Sequence, residues 1–211
     1  MNYKAIIFDL DGVICSTDQY HYHAWKIIAD EIGVEFNETI NNRLRGIGRM
    51  ESLDIILESY RGKLSVEEKI NYAEKKNDYY RQSLQKMSPE DLSQEVQDTL
   101  NKVKAKGIKV AIGSSSKNAK LILKQIGLEK FFDAISDGNN ITHSKPNPEV
   151  FLKASVYLGI APQSCLVVED AKAGLEAAYA ANMDCAAIGD ATRYHLATYN
   201  LNRFSDLLLY L

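Results

Sequence analysis

From residue 5 the chain reads Ala5-Ile6-Ile7-Phe8, four apolar residues in a row, followed by Asp9, Leu10, Asp11 and Gly12. An unbroken apolar run predicts a strand buried on both faces, here Lys4 to Leu10. The period then changes. From Asp18 to about Met87 apolar residues recur at helical spacing among charged ones. His21, Trp25, Ile28 and Ile32 share one face, Leu53, Ile56, Leu57 and Tyr60 share another, and a tyrosine-rich helix covers Asn71 to Leu84. Trp25, Tyr72, Tyr79 and Tyr80 are expected to pack this helical region, and Ser88-Pro89 marks a return crossing. Beyond it strands and helices alternate. Helices are expected at Ser93 to Lys106, Asn118 to Ile126, Pro148 to Leu158 and Ala171 to Ala181. Strands are expected at Lys109 to Ile112, Ala134 to Ser136, Cys165 to Val168 and Cys185 to Ile188. Gly107, Gly127 and Gly159 stop three of the helices, as the left-handed C-cap prefers.

The alternation predicts an α/β fold, a Rossmann-like doubly wound parallel sheet with a helical cap inserted after the first strand. The expected division is a core over 1–16 and 88–211 and a cap over 17–87. Right-handed crossovers bring most strand ends to one side, so Asp9, Gly113, Ser136 and Glu169 should converge.

Composition narrows the function classes. In 211 residues, 25 Lys and Arg against 28 Asp and Glu leave a formal charge of −3, with no basic field for nucleic acid. Lys102, Lys104, Lys106 and Lys109 follow a helix and its exit and read as a solvated face. No apolar run approaches the roughly 18 residues of a membrane span, and no cationic lead precedes a hydrophobic signal core. A soluble, cytoplasmic, monomeric protein is expected, with neither nucleic acid nor membrane as partner. Cys15, Cys165 and Cys185 are odd in number and far apart, which favours reduced thiols over a disulfide framework or a zinc site.

Four loops at predicted strand ends carry chemistry, and each has a plain structural reading as well. Asp9 and Asp11 make a turn, an ion pair or a cation site. Ser114-Ser115-Ser116-Lys117-Asn118 caps a helix or binds phosphate through hydroxyls and free N–H groups. Lys145 is a surface lysine or a phosphate neutraliser, and Glu169-Asp170 is an N-cap pair or a cation ligand. Together they describe a site for a magnesium ion and a phosphoryl group. Asp9 would attack phosphorus, Asp11 would move the proton, and Ser114 and Lys145 would meet the phosphate oxygens.

Asp9-Leu10-Asp11-Gly12-Val13, the Ser114 loop, Lys145-Pro146 and Glu169-Asp170 resemble, in order and over nearly the whole chain, the four motifs of the haloacid dehalogenase superfamily of phosphotransferases. The resemblance implies magnesium held by Asp9, the Asp11 carbonyl and Asp170 with Glu169 nearby, and a transferring phosphate met by Ser114, Ser115 and Lys145. Within that superfamily, Tyr20 to Trp25, Leu44 to Arg49 with Ser52-Leu53, Lys76-Asn77-Asp78 and Ser114 to Asn118 resemble the β-phosphoglucomutase-like subfamily. That likeness implies a distal phosphate held by Arg49, Ser116, Lys117 and Asn118. Arg45 and Gly46 belong to the same cap loop, whose two guanidiniums suit phosphate. Thr17 and His21 would couple hinge and cap to Asp11, and Lys76 would contact the sugar or line the cleft. The implied substrate is a small sugar phosphate, with β-glucose 1,6-bisphosphate as primer. A magnesium-dependent sugar-phosphate phosphatase and a catalytically silent sugar-phosphate sensor are the alternatives. Arg45 stands where the subfamily pattern carries Lys, and the stretch from Asp190 diverges from it.

Overall fold

The computed structural model describes residues 3–211, so the first two residues of the expected core segment lie outside the described residues. At its centre six parallel strands run in the order β3-β2-β1-β4-β5-β6. The strands are β1 (Ala5–Phe8), β2 (Lys109–Gly113), β3 (Ala134–Ser136), β4 (Cys165–Glu169), β5 (Asp184–Ala187) and β6 (Tyr199–Asn200). β1 lies between β2 and β4, with Phe8 beside Ile112 and Val168. Its four residues are wholly buried, because the strand's two-residue period sends alternate side chains to opposite faces. Ile6 and Phe8 join the cluster that contains Leu100, Val103, Ile122 and Phe204, whereas Ala5 and Ile7 join that of Phe151 and Leu175.

The first cluster draws on α5 (Gln94–Ala105) and α6 (Ala119–Gln125), the second on α7 (Glu149–Leu158) and α8 (Lys172–Ala180). Gly107, Gly127 and Gly159 all take positive φ at or just beyond helix ends. The chain from Asp190 is ordered as well. It forms a 3-10 turn at Gly189–Tyr194, β6, and a second 3-10 segment at Phe204–Tyr210. Tyr199 stacks on Tyr210 and Phe204 on Phe8, with ring centroids 4.1 Å and 5.8 Å apart. A two-residue strand and 3-10 turns are too short to leave a periodic signal.

Between β1 and α5 come α1 (Asp18–Ile32), α2 (Glu38–Asn42), α3 (Arg49–Ile56) and α4 (Val66–Leu84). They enclose a cluster of their own built on Trp25, Ile28, Leu53, Ile56 and Ala73. α4 begins five residues before the expected Asn71, because Ser65 and Glu68 form a reciprocal capping box that starts the helix there. Tyr72 and Tyr79 pack against this cluster as expected. Tyr80 instead joins the core cluster below, its ring 4.0 Å from that of His21. The three cysteines are free and buried. No described helix is long and apolar enough to cross a membrane.

Candidate active site

β1 delivers Asp9 to the carboxyl edge of the sheet, where only 5% of the residue remains exposed. Its backbone N–H still donates to the Val168 carbonyl, so the ladder aims the side chain. Gly12 follows at φ +87°, and a Cβ there would run into the Asp170 carboxylate. Lys145, fully buried, donates to Asp9 Oδ1 at 2.5 Å and to Glu169 Oε2 at 2.8 Å. Phe151 lies under its ammonium at 4.7 Å, and α7 approaches closely enough to put that ring there because Gly113 has no Cβ to block it. Burial works against the Lys145 charge, but the carboxylates of Asp9 and Glu169 prevail and hold its pKa above the usual lysine range.

One lysine does not balance the acids around it. Asp9, Glu169 and Asp170 present oxygens that all lie within 4.8 Å of one another. Burial raises the Asp9 carboxyl, with Lys145 opposing. Glu169 is pushed up to about 7 by burial against the pull of Lys145, and Asp170 to about 9 by burial and then by Glu169 and Asp9. Asp11 reaches about 7 through burial and the Asp9 charge. Buried carboxylates crowded this way lack positive charge, and an all-oxygen donor set fits a hard divalent cation such as magnesium. Glu169 is also braced by the Ala171 N–H at 3.1 Å, and its carboxyl fills the space a Cβ on Gly174 would take.

The remaining predicted residues, except the buried Thr17, line one cleft of about 430 Å³ that opens between sheet edge and cap. Ser114 is buried, and its Oγ accepts the Ser116 N–H at 3.1 Å. The Ser115 hydroxyl donates across the cleft to the Gly46 carbonyl at 3.1 Å. Thr17 donates to Asp11 Oδ1. Lys76 Nζ lies 2.8 Å from His21 Nδ1 and over the rings of Tyr80 and Trp25 at 4.5 Å and 5.0 Å. Burial, with Arg49 nearby, holds the Lys76 ammonium well below the usual lysine range, and burial, with Lys76 and Arg49 beside it, likewise pushes His21 well below the usual histidine range.

Arg49 and Asn118 meet on the side chain of Asn77, while Lys117 and Ser116 face the same cleft. Arg45 does not join them. Its guanidinium turns to Asp18 at the base of α1 and to Asp190 beyond β5, the latter at 3.3 Å. Two of these contact residues, Asn77 and Asp190, are not among the site residues expected from the sequence. Asn77 stood beside Lys76 in a noted motif, but Asp190 lay in a stretch without pattern.

Residues 6–188 match the haloacid dehalogenase-like hydrolase family. The chain belongs to that family. It is accordingly an enzyme of the family's phosphotransferase and phosphatase type. Among curated relatives, β-phosphoglucomutase of Bacillus subtilis is 39% identical over 98% of this chain and 92% of its own. The phosphorylated carbohydrates phosphatase of Thermotoga maritima is 30% identical over 86% and 82%. The crystal structure of β-phosphoglucomutase from Clostridium difficile superposes with a TM-score of 0.92 at 38% identity, covering 97% of this chain and 93% of that one. The sheet, the cap and the match to this family agree with the α/β architecture expected from the alternation of strands and helices.

Proposed function

We propose that the protein is a β-phosphoglucomutase, interconverting β-glucose 1-phosphate and glucose 6-phosphate through β-glucose 1,6-bisphosphate. The observation that carries this reading is a cleft with two places suited to a phosphate: Asp9 and Ser114 at the sheet edge, with Lys145 bonded to Asp9 behind them, and Arg49 with Asn118 where the cap meets the core. A phosphatase needs the first group alone. A mutase must hold a second phosphate while the first is transferred. The 39% identity to a named mutase over nearly the full length of both chains supports the same choice.

In this reading Asp9 attacks phosphorus with the carboxylate oxygen that Lys145 leaves free, giving an aspartyl-phosphate. Asp11, held by Thr17, gives its proton to the departing sugar oxygen and later takes one from the attacking hydroxyl. Ser114 and Lys145 meet charge that builds on the phosphoryl oxygens. Asp9, Asp170 and Glu169 are the residues that would hold magnesium, which when bound offsets charge on the transferring group. Residues 17–87 act as a unit that closes over the sheet edge and keeps water from the phosphorylated aspartate. The bisphosphate then turns over, with Arg49, Ser116, Lys117 and Asn118 holding whichever phosphate is not reacting.

The decisive assay is magnesium-dependent conversion of β-glucose 1-phosphate to glucose 6-phosphate with a trace of bisphosphate primer. Stoichiometric inorganic phosphate without glucose 6-phosphate would establish a phosphatase instead, and tight binding without turnover a sensor. Asp9→Asn abolishes transfer and hydrolysis alike. Arg49→Ala lowers mutase turnover more than hydrolysis of a small monophosphate, and equal losses would remove the distal clamp from the scheme.

A further inference from the structure

Arg49 and Asn118 come from different parts of the fold, yet a single atom holds both. Asn77 Oδ1, on α4, accepts from Arg49 Nη2 at 2.8 Å and from Asn118 Nδ2 at 2.8 Å. Arg49 opens α3 in the cap, whereas Asn118 precedes α6 in the core and is 7% exposed. A guanidinium can only donate, so the amide atom facing it must be oxygen. That oxygen then requires the NH2 of Asn118 as its second partner.

Each donor keeps hydrogens to spare. The guanidinium carries five N–H bonds and the amide two, so Asn77 engages one of each and leaves the rest for an anion. The two donors are thereby set side by side, although burial disfavours the Arg49 charge. The acceptor is also neutral. A carboxylate there would accept the same hydrogen bonds, more strongly from Arg49, but its charge would repel a phosphate.

We propose that Asn77 is a positioning residue that fastens Arg49 to Asn118 at the spacing a distal phosphate needs, and that its neutrality is what lets the phosphate join them. This rests on the two-phosphate reading above. It adds a residue that does not depend on reaching the reacting atoms and a reason for amide rather than acid at that position.

Calorimetric titration with β-glucose 1,6-bisphosphate tests it, in an Asp9→Asn background so that no turnover occurs. Asn77→Ala should weaken binding by about fivefold to thirtyfold, the range expected from two lost hydrogen bonds. Asn77→Asp should weaken it further while melting no lower than the parent, because the bridge survives and only the charge changes. With Asp9 restored, the loss in kcat/KM on acetyl phosphate, which has one phosphoryl group, should be smaller for both variants than the loss in bisphosphate affinity. Wild-type affinity in Asn77→Ala, recovery of affinity in Asn77→Asp, or equal losses on both ligands would overturn the proposal. Failure of the mutase reading would register elsewhere, as wild-type enzyme that releases inorganic phosphate and makes no glucose 6-phosphate.

Discussion

Replacing Lys145 by Met keeps most of the side chain's volume and removes the one ammonium among the buried acids Asp9 and Glu169. Both ion pairs are buried, Lys145 and Glu169 completely so. Removing one partner of a buried pair costs about 3–5 kcal/mol, because the charge left behind is neither hydrated nor matched. For a chain of this size 1 kcal/mol moves the melting temperature by about 2–4 °C, so a drop of about 6–20 °C is expected near pH 8. The pH dependence has a definite sign. In the wild type the raised Lys145 pKa keeps its contribution intact up to the ordinary lysine range, and it is lost only as pH rises through the still higher folded value. In the variant Glu169, already raised to about 7 with Lys145 present, moves higher still, and Asp9 follows. A folded-state carboxyl pKa above the unfolded one favours the native state at low pH and loses that advantage as pH rises. The deficit should therefore be largest near pH 8 and shrink by more than half near pH 5, where Glu169 holds its proton. Differential scanning calorimetry in chelator, which keeps divalent ions away from the same acids, measures it. A deficit equal at both pH values, or none near pH 8, would show that Lys145 is not the charge that holds these carboxylates ionised.

Three further perturbations probe the surrounding structure. Asp190→Ala removes one of the two carboxylates that hold Arg45; being half exposed the pair contributes at most about 1 kcal/mol to stability, but the ratio of inorganic phosphate to glucose 6-phosphate should rise severalfold as the cap loosens. An unchanged product ratio would mean that Arg45 does not tie the cap. Gly174→Ala drives a Cβ into the Glu169 carboxyl, which should cost about 1–3 kcal/mol and move the magnesium midpoint upward; a variant with wild-type melting and wild-type metal affinity would contradict the cradle. Magnesium at 100 times its Kd should add about 2.7 kcal/mol of stability and release protons near pH 7.5, since Asp170 sits at about 9 and Glu169 at about 7 without it. Titration in two buffers of different ionisation enthalpy reads those protons, and no release would mean that the acids are already ionised.

Local signals are legible where a segment's own chemistry decides its structure. Ala5-Ile6-Ile7-Phe8 has no polar side to turn to water, so it lies at the centre of a sheet, and the acids that follow are carried to its edge. Gly107, Gly127 and Gly159 end helices because they bear positive φ without strain. The helical periodicity of the inserted region reports its apolar faces, and the Ser65-x-x-Glu68 spacing carries the capping box that starts α4. Acids, hydroxyls and lysine at successive strand ends pointed to phosphoryl chemistry, because a parallel sheet must present such ends together.

Partnerships between segments far apart in the chain are another matter. Arg45 and Arg49 are four residues apart and chemically alike, yet one turns to Asp18 and Asp190 while the other meets Asn118 through Asn77. No periodicity separates them, and the resemblance that assigns Arg49 to the distal phosphate names no partner for Arg45, because a guanidinium will pair with any acceptor in reach. What lies in reach depends on how the cap sits on the core. The sequence by itself determined the strand, the helices and the acids at the sheet edge, all set by burial and backbone preference over a few residues. Tertiary structure alone decided which cation faces which partner, because charges interact through space and only the folded chain sets that distance.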